Sequence, residues 1–210
     1  MEKKYSPRVK RTREKILHSA VEIFSQKGFQ ASTIREIARL AGVNDLTVYR
    51  HFESKEKLFT EMFQRHALLS EISEYIVQGI TDDFEHDLRA IVRAFISAFR
   101  KELPLIKLLL NEAEKMEECR RYVDTFTKNV IHKLAEFFDY YKTMRQIRQD
   151  VNSHAVAAGL YSILFARIYA LILHGEENSQ MSSMSENELV DGWVDLFVAG
   201  TIIPEYSYAK

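Results

Sequence analysis

The sequence predicts an all-α chain of about nine helices, and three observations predict it. Seven glycines and three prolines among 210 residues are too few for the turns of a β-rich fold. Apolar residues recur at helical spacing through most of the chain. No alternating apolar–polar run lies between hairpin turns, and no internal repeat is visible. With 46% apolar and 28% charged residues, the composition is that of a globular protein and excludes wholesale disorder.

The elements follow in chain order. Ile16, Leu17, Ala20, Val21, Ile23 and Phe24 give residues 12–27 one apolar face, and Gly28 ends that helix. Thr33 and Glu36 form a capping box that opens a short helix, and Ala41-Gly42-Val43 follows almost at once. Asn44 starts a second short helix through Phe52. Ser54 caps a long helix with the stripe Leu58, Phe59, Met62, Leu69, Ile72 and Ile76. Further helices are expected near 85–102, 104–116, 118–143, 153–174 and 186–203. Breaks fall at Gly79–Asp83, Leu103-Pro104, Arg145–Asn152 and Gly175–Ser185.

The net charge of −1 hides a split. Residues 1–60 carry 13 Lys/Arg against 7 Asp/Glu, whereas residues 61–210 carry 16 against 23. This asymmetry predicts a basic module, 1–60, for a polyanionic partner and a separate acidic body, 61–210. The single cysteine, Cys119, excludes a disulfide framework and any cysteine-based zinc or iron–sulfur site within the chain. A reducing, cytoplasmic compartment and no cofactor or metal are expected. Arg120 and Arg121 beside Cys119 leave a lowered thiol pKa open.

No apolar segment of a signal peptide follows the basic N-terminus. The stretch Ala155–Leu173 approaches the length of a membrane span, but Arg167 interrupts it. Ala158, Ser162, Ala166 and Ala170 form a small-residue ridge at spacing four, which lets a second helix approach closely. No membrane partner is expected.

Residues 33–52 carry the strongest local signal: a capped helix, a three-residue turn containing glycine, and a second capped helix, which together make a helix-turn-helix. Gly42 suits the turn because a left-handed φ costs it little. Ile37, Ala38, Val43, Val48 and Phe52 would pack the two helices. Asn44, Asp45, Leu46, Thr47, Tyr49, Arg50 and His51 would then face outward, a composition poor for a core and good for reading a DNA groove. The basic stretch Lys3, Lys4, Arg8, Lys10, Arg11 and Arg13 could lie along phosphates or enter a minor groove, or serve as a solubilising arm.

Ile16 to Phe63 resembles the DNA-binding domain of the TetR family of bacterial transcriptional regulators. The matching residues are Ile16-Leu17-x-x-Ala20, Phe24, Lys27-Gly28-Phe29, Thr33-x-x-Glu36-Ile37-Ala38, Ala41-Gly42-Val43, Val48-Tyr49-x-His51-Phe52 and Ser54-Lys55-Glu56-x-Leu58. The remainder is similar to the family only in helix count and in Arg148-x-Asp150-Val151 before a small-residue-rich helix. The resemblance implies that residues 45–51 enter the major groove and that Thr33, Tyr49, His51 and Lys55 contact phosphate. Thr33 and Lys55 stand at helix N-termini, where backbone N–H groups favour anions. Arg35 is placed in the same DNA-facing set. Asn44, Thr47 and Arg50 suit base edges. Leu46 stands where the family favours a small residue and could touch a thymine methyl. Asp45 could accept from a cytosine amino group or simply cap the helix.

In the acidic body, aromatic residues at helical spacing read first as core. The resemblance implies that some line a cavity for a small hydrophobic effector, with Phe95, Phe99, Met116, Phe126, His132 and Phe165 as candidates. Pairing of Ala158, Ser162, Ala166, Ala170, Trp193 and Phe197 with a second copy would give a homodimer, and two-fold symmetry would match a palindromic double-stranded DNA operator. The implied function is a repressor that the effector releases. An activator or a ligand-independent regulator of the same fold is the alternative. The acidic run Asp82-Asp83-Phe84-Glu85-His86-Asp87 keeps a metal-dependent helical enzyme as a remote one, and His174-Gly175-Glu176-Glu177 reads as a solvent turn rather than a cation site. No nucleophile–base arrangement stands out, so no enzyme activity is expected.

Overall fold

The computed structural model describes residues 6–65, 80–175 and 184–203. Among these the chain forms nine helices and no strand: α1 Pro7–Ala31, α2 Ile34–Ala41, α3 Asp45–Phe52, α4 Lys55–Arg65, α5 Phe84–Lys101, α6 Leu103–Ala113, α7 Glu117–Thr143, α8 Ser153–His174 and α9 Glu186–Thr201. The all-α expectation holds. Leu69, Ile72 and Ile76, expected on the stripe of the fourth helix, lie outside the described residues. So do Glu176 and Glu177 of His174-Gly175-Glu176-Glu177.

The first helix starts at Pro7 rather than near residue 12, with the proline at the N1 or N2 position. A missing N–H costs nothing there, because the first N–H groups of a helix have no intrahelical partner. Gly28, at φ 76° and ψ 170°, breaks the helix as expected, and Phe29 then turns back into the core. The cap signals before α2 and α3 are realised atom by atom. The Thr33 hydroxyl accepts from the Glu36 amide at 3.2 Å while the Glu36 carboxylate accepts from the Thr33 amide at 2.9 Å. Gly42 closes α2 at φ 68° and ψ 35°. Asn44, not Asp45, caps α3, its side-chain oxygen accepting from the Leu46 amide at 2.9 Å. Asp45 occupies the first turn, where its charge faces the positive end of the helix dipole.

The chain divides into two compact units. The first comprises residues 1–67 and Pro104–Val123. Its core is built on four phenylalanines: Phe24 and Phe59 meet edge-on at 5.0 Å, Phe29 and Phe59 at 4.8 Å, Phe59 and Phe63 at 4.9 Å. Removing one such ring costs about 3–5 kcal/mol. Leu105, Leu108 and Leu109 of α6, with Met116 and Cys119, belong to this same cluster. The Tyr122 hydroxyl donates to the Phe63 carbonyl at 2.8 Å. Met116, expected to touch the effector, is therefore a core residue of the first unit.

The second unit comprises residues 68–103 and 124–210. Its buried residues come from α5 (Leu88, Val92, Phe95), α7 (Leu134, Phe138, Tyr141), α8 (Leu160, Leu164, Ile168) and α9 (Val190, Val194). Asp87 is buried here and fully engaged: its carboxylate accepts from the Thr81 amide at 2.7 Å, from the Thr81 hydroxyl at 2.6 Å and from the Tyr141 hydroxyl. Asp83 caps α5 by accepting from the His86 amide at 3.0 Å. The acidic run is thus spent on local structure, and no group of three or more His, Cys, Asp or Glu side chains able to hold a metal ion occurs among the described residues. Arg89 of α5 pairs with Glu85 at 3.2 Å and with Asp191 of α9 at 3.0 Å.

Candidate nucleic-acid interface

The short helix α3 buries only Val48 and Phe52. In eight residues two inward positions spaced by four suffice to seat a helix, and the rest of its surface is free for recognition. Leu46 is 76% exposed and Tyr49 47% exposed. Asn44 and Arg50 are exposed; Asp45, Thr47 and His51 are half-buried. Thr33 and Arg35 are exposed on the neighbouring helix start, and Lys55 is half-buried. The ten residues expected to face DNA therefore all retain solvent access, and they come from three consecutive helix starts and one helix face.

Several of them are already engaged. The Thr33 hydroxyl donates to Glu36 at 2.9 Å, so a phosphate would compete with that carboxylate. Lys27 forms an ion pair with Glu36, and this pairing, with the Thr33 hydrogen bonds, holds the Glu36 carboxyl down at about 2. The Lys55 ammonium lies 4.4 Å from the Phe29 ring centroid and 3.5 Å from the Gln30 carbonyl. Desolvation lowers its pKa. His51 is also shifted down, first by burial and then by the charges of Arg13 and Arg50, so the neutral imidazole is favoured.

Arg13, which the sequence places in a basic arm, is not there. It is 4% exposed. Its guanidinium donates to the His51 carbonyl at 2.5 Å, pairs with Glu61 of α4, and lies 4.3 Å from the Phe52 ring centroid. The signal is present in the sequence: Arg13 stands three and four residues before Ile16 and Leu17, on the buried face of α1. Its charge conceals it.

The remaining candidates separate. Phe95 and Phe99 stack at 4.3 Å, Phe99 meets Phe126 at 6.0 Å, Phe95 meets Tyr161 at 6.2 Å, and Tyr161 stacks on Phe165 at 5.9 Å. These five rings form a continuous chain with one polar point, the Tyr161 and Thr127 hydroxyls at 2.9 Å. His132 is not among them: its side chain is 61% exposed and faces Glu136 at 3.3 Å. On α8, Ser162 and Ala166 are exposed, and Ala158 and Ala170 half-buried, as are Trp193 and Phe197 of α9. Tyr169, Leu173 and Leu196 are exposed as well. The Cys119 thiol is fully buried, and desolvation raises its pKa to about 11. Arg120 and Arg121 instead address the Glu114 carbonyl and Glu118, so a lowered thiol pKa is excluded.

Residues 16–62 match the family model of bacterial regulatory proteins, tetR family. Over 191 residues the chain is 25% identical to the HTH-type transcriptional regulator YvkB of Bacillus subtilis, itself uncharacterized, covering 90% of this chain and 96% of that one. It is 26% identical over 175 residues to the HTH-type transcriptional repressor BepR of Brucella suis, covering 79% and 82%. The fold matches that of the transcriptional regulator FadR of Bacillus subtilis, solved in complex with stearoyl-CoA, with a TM-score of 0.70 at 18% identity, covering 89% and 98%. The capped helix pair and its exposed α3 face thus belong to a helix-turn-helix transcriptional regulator that binds DNA. Over residues 16–62 the chain carries the DNA-binding domain described by the tetR family of bacterial regulatory proteins.

Proposed function

We propose that this regulator is a repressor that binds a palindromic operator as a homodimer and leaves it when a small hydrophobic effector binds the body. The observation that carries the DNA half is the outward face of α3, where Leu46, Tyr49 and Arg50 are exposed. Asn44, Thr47 and Arg50 read base edges, Leu46 meets a thymine methyl, and Thr33, Arg35, Tyr49, His51 and Lys55 address phosphates. The functional division runs between the DNA-binding residues 1–60 and the effector-binding and dimerisation residues 61–210.

The effector half rests on the ring chain Phe95, Phe99, Phe126, Tyr161 and Phe165, an apolar cluster with one hydroxyl pair to orient a ligand. The FadR complex makes a long-chain acyl thioester the first compound to try. The homodimer rests on the exposed apolar residues of α8 and α9. Helix α8 is long and apolar enough to cross a membrane, and less than half of its apolar stretch is buried within the subunit. Covering the rest against a second copy accounts for it without a membrane and keeps the protein cytoplasmic. The chain is a regulator and not an enzyme.

The test is fluorescence anisotropy on a duplex selected by the protein from a random library, titrated with salt and then with stearoyl-CoA. Binding should fall steeply with salt and be reversed by the thioester. Salt-independent binding, or none, overturns the DNA reading. Unchanged affinity in the presence of bound thioester overturns that effector class.

A further inference from the structure

Arg13 is a buried cation at the carbonyl end of a helix whose orientation matters. The last carbonyls of any helix lack intrahelical partners and carry the negative end of its dipole. In α3 one of these is the His51 carbonyl, and Arg13 of α1 donates to it at 2.5 Å. The second arm of the guanidinium pairs with Glu61 of α4, and its plane covers the Phe52 ring at 4.3 Å. One side chain therefore holds the end of α3 against both flanking helices. Arginine suits this place because its planar fork reaches two acceptors at once and stacks on a ring, which an ammonium does not do. At 4% exposure Arg13 offers nothing to a phosphate.

We propose that Arg13 is the positioning residue of the recognition helix, fixing the end of α3 so that its outer face meets base edges in register, with Glu61 orienting Arg13. This rests on the reading of α3 as the groove-reading helix. Base recognition needs its donors placed within about 0.5 Å, whereas phosphate contacts made by long side chains adapt to small shifts. Loss of Arg13 should therefore erase discrimination between sequences before it erases binding to DNA.

The experiment uses the full-length protein and two duplexes, one selected by wild type from a random library and one scrambled. Arg13→Met should weaken binding to the selected duplex about 30-fold, the scale of removing a hydrogen bond to a charged group. It should change the scrambled duplex less than about threefold and leave the salt slope at the wild-type value. Arg13→Lys should not restore discrimination. Glu61→Gln should show a smaller loss of the same kind, and should add nothing in the Arg13→Met background. Equal losses on both duplexes make Arg13 merely structural and overturn the proposal. A reduced salt slope makes it a phosphate contact and overturns it too. If Arg13→Met melts below the assay temperature, Glu61→Gln decides, and wild-type discrimination in that variant overturns the proposal. Should wild type bind no DNA, the groove-reading assignment fails, while amide exchange still tests the pin: exchange at Glu53, whose N–H bonds to Tyr49 at the end of α3, should quicken about tenfold or more in Arg13→Met, and unchanged exchange overturns it.

Discussion

The Lys55 ammonium rests over the Phe29 ring, 4.4 Å from its centroid, at the start of the helix that follows the recognition helix. This stacking restrains the Lys55 side chain beside the start of α4, within reach of the proposed DNA interface. Phe29 is placed there by the break at Gly28, so a backbone feature of α1 determines where the Lys55 charge sits. Lys55→Ala should weaken binding about equally on specific and random duplexes and lower the salt slope by about one for each phosphate that is no longer neutralised. Titration of anisotropy against salt measures this, and an unchanged slope would remove Lys55 from the interface.

Arg50 should behave in the opposite way. It is exposed on α3, and its fork matches the two acceptors of a guanine edge. Arg50→Ala should cost about 1–3 kcal/mol on the selected site and little on random sequence. A uniform loss would reassign Arg50 to the backbone.

The pH dependence of the DNA-binding unit should carry the mark of His51. Burial, Arg13 and Arg50 lower its pKa in the folded chain, so at moderately acid pH the unfolded chain binds more protons than the folded one. Stability is then complete above the unfolded histidine value of about 6.5 and is lost as pH falls from there through the lowered folded value. His51→Gln should flatten thermal stability across that window. DNA affinity should run the other way, since a phosphate beside the imidazole favours its protonated form. Melting curves from about pH 7.5 to 5.5 that coincide in slope for wild type and variant would exclude His51 as the source.

What the sequence discloses and what it hides divide by separation along the chain. The Thr33–Glu36 box, the Asn44 cap and the left-handed Gly42 are local events spanning three residues or fewer, and their residue types name them. The chain Phe95–Phe99–Phe126 is legible only as apolar periodicity. Arg13 reaches partners 38 and 48 residues away, and Tyr141 reaches Asp87 across 54. The place of Arg13 on the face of Ile16 and Leu17 is legible locally, but no local window names the partners of either side chain. Residues 7–12 give no helical signal because that part of α1 buries nothing; only Arg13, one step further on, turns inward. The packing of Leu105, Leu108 and Leu109 into the core of the DNA-binding unit is hidden for the same reason: periodicity identifies a buried face without naming what it packs against.

The turn between α3 and α4 is strained at Glu53, whose φ of 64° and ψ of −42° fit a γ-turn, with the Ser54 amide donating to the Phe52 carbonyl at 2.7 Å. Such a conformation costs a non-glycine residue about 1–3 kcal/mol. Glu53→Gly should raise the melting temperature by about 2–4 °C per kcal/mol recovered. The exposed Glu53–Lys57 pair that this change removes is worth little. Glu53→Ala keeps the strain and should give no gain. Equal melting temperatures for the glycine and alanine variants would refute the strain argument.

The dimer has the sharpest test at Ala166. This residue is exposed on α8, between exposed Ser162 and Tyr169. Ala166 thus lies on the side of α8 that faces outward while the opposite side carries buried Leu160, Leu164 and Ile168. A stable obligate interface buries about 2,000 Å² or more in total, and the proposed homodimer would cover the exposed Tyr169 and Leu173 of α8 and Leu196 of α9. In the proposed homodimer Ala166→Glu would place a carboxylate between two copies, where an unpaired buried charge costs several kcal/mol. The expected product is a folded monomer with wild-type helical content and weakened operator binding, because one copy grips only one half-site. Size-exclusion chromatography with light scattering beside far-UV circular dichroism distinguishes the outcomes. Loss of helicity would mean that Ala166 packs within its own subunit, and a wild-type protein that runs as a monomer at micromolar concentration would remove the homodimer altogether.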